Sequence, residues 1–209
     1  MAELEKPDLS SWEPRTKLGK AVKEGRITRL EEIFSSGRKI LEPEIVDALL
    51  PSLEYENIEM RNTQRMTDSG RRTQFRSVVI VGDKKGHVGV GVGKSEEVRL
   101  SLENAIADAK SSIISIPFGC GSWECKCSIP HSIPKKGKGK WGATTVELKP
   151  APRGTGLVAN KIVKAVLKLA GIKDVWSKAN GGSGSLAMAK ATVAALVSLS
   201  ESKPLEVLE

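Results

Sequence analysis

Residues 88–93 read Val-Gly-Val-Gly-Val-Gly. A period of two makes this a strand, with three valines on one face and three glycines on the other. A glycine face weakens a strand, so it marks close approach by another backbone or a ligand. The surrounding chain has to supply that neighbour. Residues 75–81 are β-branched and apolar and predict a strand, joined to the Val-Gly run by an Asp83-Lys84-Lys85-Gly86 turn. Residues 58–66 alternate and are polar, and Ser69-Gly70 makes a turn with Arg71 and Arg72 beside it. After the run, Ser95 is expected to cap a long helix, with Glu96 and Glu97 in its first turn. Val98, Leu102, Ala105, Ile106, Ala109 and Ile113 would be its apolar stripe, and Pro117 would stop it. Upstream, Pro43 opens a short helix with Ile45, Val46, Leu49 and Leu50 on its apolar face, ended by Pro51. Residues 43–116 therefore form an α-β-β-β-α unit, the order used by domains that recognise double-stranded RNA by shape and backbone.

Gly91-Val92-Gly93-Lys94-Ser95 imitates the end of a phosphate loop. The nucleotide-binding pattern needs a glycine five residues before the final one, and that position is Val88. The context is also strand through Val92, so nucleotide hydrolysis is excluded in favour of a glycine-faced strand running into a helix.

Residues 1–42 read as a polar lead-in with short helices. Thr28-Arg29-Leu30-Glu31 has the form of a capping box, followed by Ile33 and Phe34 at helical spacing. Beyond the first unit come a cysteine segment and a strand at 144–148. Pro150-Ala151-Pro152-Arg153-Gly154-Thr155-Gly156 is a loop opening a helix with Val158, Ile162, Val163, Val166, Leu167 and Ala170 buried, and Gly171 is its C-cap. Lys161, Lys164 and Lys168 share one helix face. Val175-Trp176 is a short strand, and 181–185 leads into a last helix with Leu186, Ala189, Val193, Leu196 and Val197 inward. The fold class is α+β: a double-stranded-RNA-binding-like α-β-β-β-α domain, then a β-α-β-α domain of sandwich type. The expected division is an N-terminal extension at 1–42, the first domain at 43–118, a Cys/Lys-rich insertion at 119–140, the second domain at 141–202 and a tail at 203–209.

Lysine plus arginine number 33 against 25 acidic side chains, a net +8. The excess is gathered. Residues 60–82 carry Arg61, Arg65, Arg71, Arg72 and Arg76 against Asp68 alone, and Lys135-Lys136-Gly137-Lys138-Gly139-Lys140 has no acid. Two such segments indicate two surfaces for an anionic polymer. The glycines between the lysines predict a mobile run that orders on its partner. Aromatic residues are only 4% of the chain, which disfavours stacking on single strands and suits backbone recognition. The N–H groups of the 154–156 and 181–184 loops, each before a helix, are candidates for a phosphate. No stretch approaches the roughly 20 apolar residues that span a bilayer, and residues 1–17 have no signal-peptide core, so a soluble intracellular protein without a membrane partner is expected.

Cys120, Cys125, Cys127 and His131 bring four soft or borderline donors within twelve residues. Three cysteines and a histidine suit a closed structural zinc site, although Cys-x-Cys is tighter than the familiar fingers. The alternative is three reduced cysteines on a loop, and a metal assay separates the two. No nucleophile–base pair stands out. His87, at a turn, is expected to face RNA or solvent. The chain is thus not expected to be an enzyme.

Residues 75–95, Phe-Arg-Ser-Val-Val-Ile-Val-Gly-Asp-Lys-Lys-Gly-His-Val-Gly-Val-Gly-Val-Gly-Lys-Ser, resemble the signature of the small-subunit ribosomal protein five family. Residues 150–161, Pro-Ala-Pro-Arg-Gly-Thr-Gly-Leu-Val-Ala-Asn-Lys, resemble its second hallmark, and 169–175 fit the segment after it. The resemblance implies a structural constituent of the small ribosomal subunit in the cytoplasm. It would bind rRNA and support assembly and decoding accuracy near the channel through which mRNA enters, beside small-subunit proteins three and four. Ser69, Gly70, Arg71 and Arg72 would correspond to a basic hairpin loop that enters rRNA. Gly154, Thr155, Gly156 and Lys161 would face protein four. With the charge reading, the expected rRNA-binding set is Arg61, Arg65, Ser69, Gly70, Arg71, Arg72, Arg76, Lys84, Lys85, His87, Lys94, Lys135, Lys136, Lys138, Lys140 and Arg153. The N-terminal extension and the cysteine–lysine insertion depart from the bacterial pattern, and Gly/Arg-rich repeats are missing, so the sequence resembles the archaeal branch. The competing class is a free-standing double-stranded-RNA-binding module, which would not sediment with the small subunit.

Overall fold

The computed structural model describes residues 2–3, 12–125, 127 and 129–200 and divides the chain into two units. The first holds the chain up to residue 83 together with 87–113; the second holds 84–86 and the chain from 114 onward. The expected tail at 203–209 lies outside the described residues.

In the first unit, β1 (Ala2–Glu3) pairs antiparallel with β2 (Glu54–Thr67), which pairs antiparallel with β3 (Gly70–Gly82), and β3 with β4 (His87–Ser95). Three short helices precede the sheet: α1 (Lys17–Lys23), α2 (Leu30–Ser35) and α3 (Pro43–Leu49). Thr16 caps α1 by accepting from the Gly19 N–H at 3.0 Å. The capping box expected at Thr28 does not form; Arg29 is the N-cap of α2 and makes no side-chain cap bond. Pro43 sits at the start of α3 as expected. The lead-in is also less polar than it reads. Leu18, Val22, Leu30, Ile33 and Ile40 are buried in the same cluster as Ile45, Val46, Val79 and Val81, so the extension completes the core of this unit.

The neighbour required by the Val-Gly run is α4 (Val98–Ser111). A Cβ at Gly89, Gly91 or Gly93 would stand 2.2, 2.2 or 2.0 Å from the carbonyl oxygen of Ala109, Ala105 or Ser101. Strand glycines two apart thus meet small helix residues four apart, backbone against backbone. This changes the expected stripe. Ser101, Ala105 and Ala109 face the strand, while Val98 is 37% exposed. Ser95 is the last residue of β4, and Glu97 is the N-cap, without a side-chain cap bond.

The second unit contains β5 (Ile114–Ser115), β6 (Gly137–Trp141), β7 (Thr144–Pro150), β8 (Leu157–Val158), α5 (Lys161–Ala170), β9 (Val175–Asn180) and α6 (Ser185–Ser200). Its sheet runs β6-β7-β9-β8, antiparallel except for the parallel β8–β9 pair. The lysine–glycine run is not a mobile loop: residues 137–141 are β6. A Cβ at Gly139 would stand 2.2 Å from both the Ala191 oxygen and the Ala195 nitrogen of α6, and one at Gly137 would stand 2.7 Å from the Ala195 oxygen. The helix after the 150–156 loop begins at Lys161, later than expected, and Val158 is a 52% exposed strand residue. Gly171 caps α5 in the left-handed conformation, φ +91°, as its position predicts. The α+β class and the two-domain order hold.

Candidate nucleic-acid interface and metal centre

The β2–β3 ribbon presents the first basic surface. Its strands pair from Glu54↔Gly82 to Thr67↔Gly70, whereas β4 reaches only as far as Phe75↔Ser95, so the outer part is two-stranded. Arg61 lies opposite Arg76, Arg76 opposite Lys94, and Arg65 opposite Arg72. The strand period puts all five cations on one face, opposite the Ser77 side that meets Ser101 of α4. Like charges directly opposite destabilise a sheet, so this column needs counter-charge. Glu59 answers Arg61 and Arg76, and Glu96 answers Arg72 through Nε at 3.0 Å. Arg65 and Arg71 have no carboxylate partner among the described residues. Arg76 buries its Nε without a hydrogen bond among those residues. The tip is shaped locally: Asp68 accepts from the Ser69 N–H at 3.0 Å, Thr67 Oγ1 donates to the Gly70 oxygen at 2.8 Å, and Gly70 has φ +123°.

His87 is not exposed as expected. It is half-buried, with Nδ1 2.7 Å from Asp83 Oδ2 and its N–H donating to Asp83 Oδ1 at 3.1 Å. Lys84 and Lys85 are exposed. Lys84 has φ +59°, and its N–H donates to the Leu169 oxygen at 2.9 Å.

In the second unit the sheet face opposite α6 is basic. The register aligns Lys138 with Glu147 and Glu147 with Lys178, Lys140 with Thr145, and Lys149 with Trp176. Glu147 is held by Lys138 at 3.3 Å and Lys136 at 3.5 Å, which lowers its carboxyl below the ordinary value, the Lys138 bond contributing most. Lys140, Lys149 and Lys178 are exposed around it, and Lys135 precedes the strand. The sequence reading missed Lys149, Trp176 and Lys178. Their signal was the strand period itself, hidden because 175–180 reads as only two strand residues. On the other face, Lys190 of α6 lies 4.8 Å from the Trp141 ring.

The four metal-type donors converge. The Cys120, Cys125 and Cys127 sulfurs and the His131 ring nitrogen all lie within 4.8 Å of one another. Cys127 Sγ is 3.5 Å from Cys120 Sγ, and His131 Nε2 is 3.1 Å from Cys127 Sγ and 3.7 Å from Cys125 Sγ. A tetrahedral zinc with Cys₃His ligands has ligand–ligand edges of roughly 3.5–3.8 Å; the donor types and their convergence suit that ion, with Cys125 Sγ and Cys127 Sγ drawn closer together, at 2.8 Å. Buried His131 gives Nδ1 to buried Asp174 Oδ2 at 2.8 Å, which leaves Nε2 as the atom facing the sulfurs. Hydrogen bonds, first from Cys127 and next from the Arg153 backbone N–H, pull the Cys125 thiol down to about 6, and burial pushes Cys120 up to about 11. Gly119 and Gly121 let the segment run against its own return, where a Gly121 Cβ would stand 2.0 Å from the Pro134 oxygen.

The 154–156 amides do not wait for a phosphate. Gly154 and Gly156 donate to Asp174 Oδ1 at 3.1 and 2.8 Å, so an internal carboxylate takes the place expected for an external anion. Arg153, Gly154 and Lys161 remain exposed, and Thr155 is half-buried with its hydroxyl donating to the Pro152 oxygen.

No helix among the described residues is long and apolar enough to cross a membrane. Residues 53–117 match the family model of ribosomal protein S5, N-terminal domain, and residues 139–208 match that of its C-terminal domain. The chain is 52% identical over 200 residues to small ribosomal subunit protein uS5 of Methanocaldococcus jannaschii, covering 95% of this chain and 92% of that protein. It is 52% identical to uS5 of Staphylothermus marinus (94% and 92% covered) and 53% identical to uS5 of Aeropyrum pernix (83% and 80% covered). Both domain models are matched in order, and archaeal proteins align over nearly the whole length. The chain belongs to the ribosomal protein S5 family, in its archaeal form.

Proposed function

We propose that this chain binds small-subunit rRNA through the arginine ribbon of the first unit and the lysine face of the second. In this role it supports subunit assembly and decoding accuracy near the channel through which mRNA enters. As a family member it is a structural, non-enzymatic component of the small ribosomal subunit. Small-subunit proteins three and four are its neighbours in this reading, with the exposed Gly154 and Lys161 turned to the latter. The observation that carries the proposal is the cross-strand column Arg61/Arg76/Lys94 and Arg65/Arg72, too rich in like charge to be a purely structural ribbon. Each cation placed against a phosphate releases counterions, so affinity falls with salt in proportion to their number. Cys120, Cys125, Cys127 and His131 are read as a structural zinc site serving that architecture.

The test is binding to small-subunit rRNA across a salt series, with sedimentation of the labelled chain through a sucrose gradient. Replacing Arg65 and Arg71 by alanine should flatten the plot of log affinity against log salt by about 2, one per phosphate contact. An unchanged slope would remove the ribbon from the interface. A chain that stays at the top of the gradient would favour a free-standing RNA-binding module.

A further inference from the structure

Asp174 joins two features otherwise separate in sequence. One carboxylate oxygen takes His131 Nδ1, and the other takes the Gly154 and Gly156 N–H groups. Its backbone oxygen accepts from the Ser132 hydroxyl, whose Oγ in turn accepts from the Ala151 N–H at 3.4 Å. The Lys173 and Asp174 N–H groups close the ring on the His131 oxygen at 3.1 and 3.2 Å. The 150–156 loop is therefore tied to the Cys₃His cluster through Asp174 and His131.

The loop needs such ties. Gly154 and Gly156 sit at φ +90° and +72° with no atom near where a Cβ would be, so packing does not impose their conformation. What imposes it is a buried carboxylate, and that carboxylate is oriented by an imidazole. A metal on Nε2 would fix the tautomer and ring plane of His131.

On the zinc reading above, on which this rests, we propose that metal occupancy of the Cys120–Cys125–Cys127–His131 cluster sets the shape of the 150–156 loop, with Asp174 as the positioning residue. Residues 118–138 lie between the two matched domain models, while the loop lies inside the second. A local metal-binding segment thus rigidifies a surface that presents Arg153 outward.

The experiment uses the full chain purified without chelator. Zinc is quantified by elemental analysis, and amide exchange is followed by mass spectrometry over 150–157, with β3 amides as the internal fold control. The expected result is about one zinc per chain, and loop amides that exchange at least about tenfold faster once a chelator removes it, with β3 unchanged. Asp174→Asn should keep zinc, with affinity reduced about 10–100-fold, yet show fast loop exchange with the metal bound. Zinc bound at one per chain with loop exchange indifferent to its removal would overturn the coupling and leave the zinc reading standing. Zinc near zero, with all three thiols freely alkylated, would overturn both. Should Asp174→Asn not fold, the chelator series on the unmodified chain gives the answer alone.

Discussion

The molecule uses the same joint twice. In the first unit Gly89, Gly91 and Gly93 of β4 meet Ser101, Ala105 and Ala109 of α4; in the second, Gly137 and Gly139 of β6 meet Ala191 and Ala195 of α6. Both are strands stripped of side chains on one face so that a helix of small residues can lie on the backbone. They differ in what alternates with the glycines. β4 interleaves valines, and Val88 and Val90 are buried on its far side. β6 interleaves lysines, and its far side is exposed. The glycines report where the helix is, and the residues between them report whether the opposite face is core or solvent. A Lys-Gly-Lys-Gly-Lys run is then a strand with one face given to a helix and the other, carrying its lysines, to solvent, rather than a flexible tether.

The largest effect is expected at the β4–α4 joint. Gly91→Ala places a methyl group 2.2 Å from two backbone atoms of α4 and 2.8 Å from a third, none of which moves without the helix. It should cost upward of ~3 kcal/mol, seen as a fall in urea midpoint with β3 amides losing protection. Gly139→Ala makes equally short contacts, but the far side of β6 is exposed lysine rather than buried valine, so the strand can slide outward. A smaller loss of ~2 kcal/mol is expected, confined to amides of the second unit. Equal losses would show that the exposed far side gives no relief.

The difference between the joints also explains what the sequence could reveal. The valine run was legible because both the apolar residues and the glycines carry a period of two. The strand, its helix and the whole α-β-β-β-α order follow from it. In the lysine run half the strand signal is missing: charged residues and glycines both read as loop when a local rule is applied. Only pairing with β7 and burial beneath α6 make it a strand, and both are long-range. The same limit hid Lys149, Trp176 and Lys178, which share a face with Lys138 through register alone. It also hid Asp174, which sits far in sequence from the His131 it orients. Conversely, the four metal-type ligands were legible because they are local, and the arginine hairpin because its strands are joined by a two-residue turn. The helix starts at Ser95 and Thr28 were misread because a good cap residue is not a cap when the strand or loop before it runs longer.

The exposed faces sharpen the comparison at lower energy. Arg65→Ala on the ribbon and Lys140→Ala on β6 should each change stability by less than ~0.5 kcal/mol, since neither side chain is buried. Each should lower the salt slope of rRNA binding by about 1. A slope lost at Arg65 but kept at Lys140 would restrict RNA contact to the first unit and leave the second sheet face for protein.

The smallest effect concerns Glu147, the lone acid among the lysines of that face. Its folded-state pKa is depressed below the ordinary 4.5, chiefly by Lys138 and then by Lys136. A depressed carboxylate stabilises the fold above its unfolded-state pKa, and that contribution is lost as pH falls through the folded-state value. The lysines are exposed to solvent and the half-buried carboxylate is screened by salt through them, so the contribution is slight. Carbon-detected titration should place the Glu147 midpoint below its ordinary value at low salt. Lys138→Ala should raise that midpoint, and Lys136→Ala should raise it less. Bound rRNA should act in the same direction as these substitutions. A phosphate that takes Lys138 away from Glu147 brings negative charge and removes its compensation, so the carboxyl would titrate higher in the complex than in the free chain. A midpoint unmoved by RNA would mean that Lys138 stays with Glu147 and that the anion is met by Lys140, Lys149 and Lys178 alone.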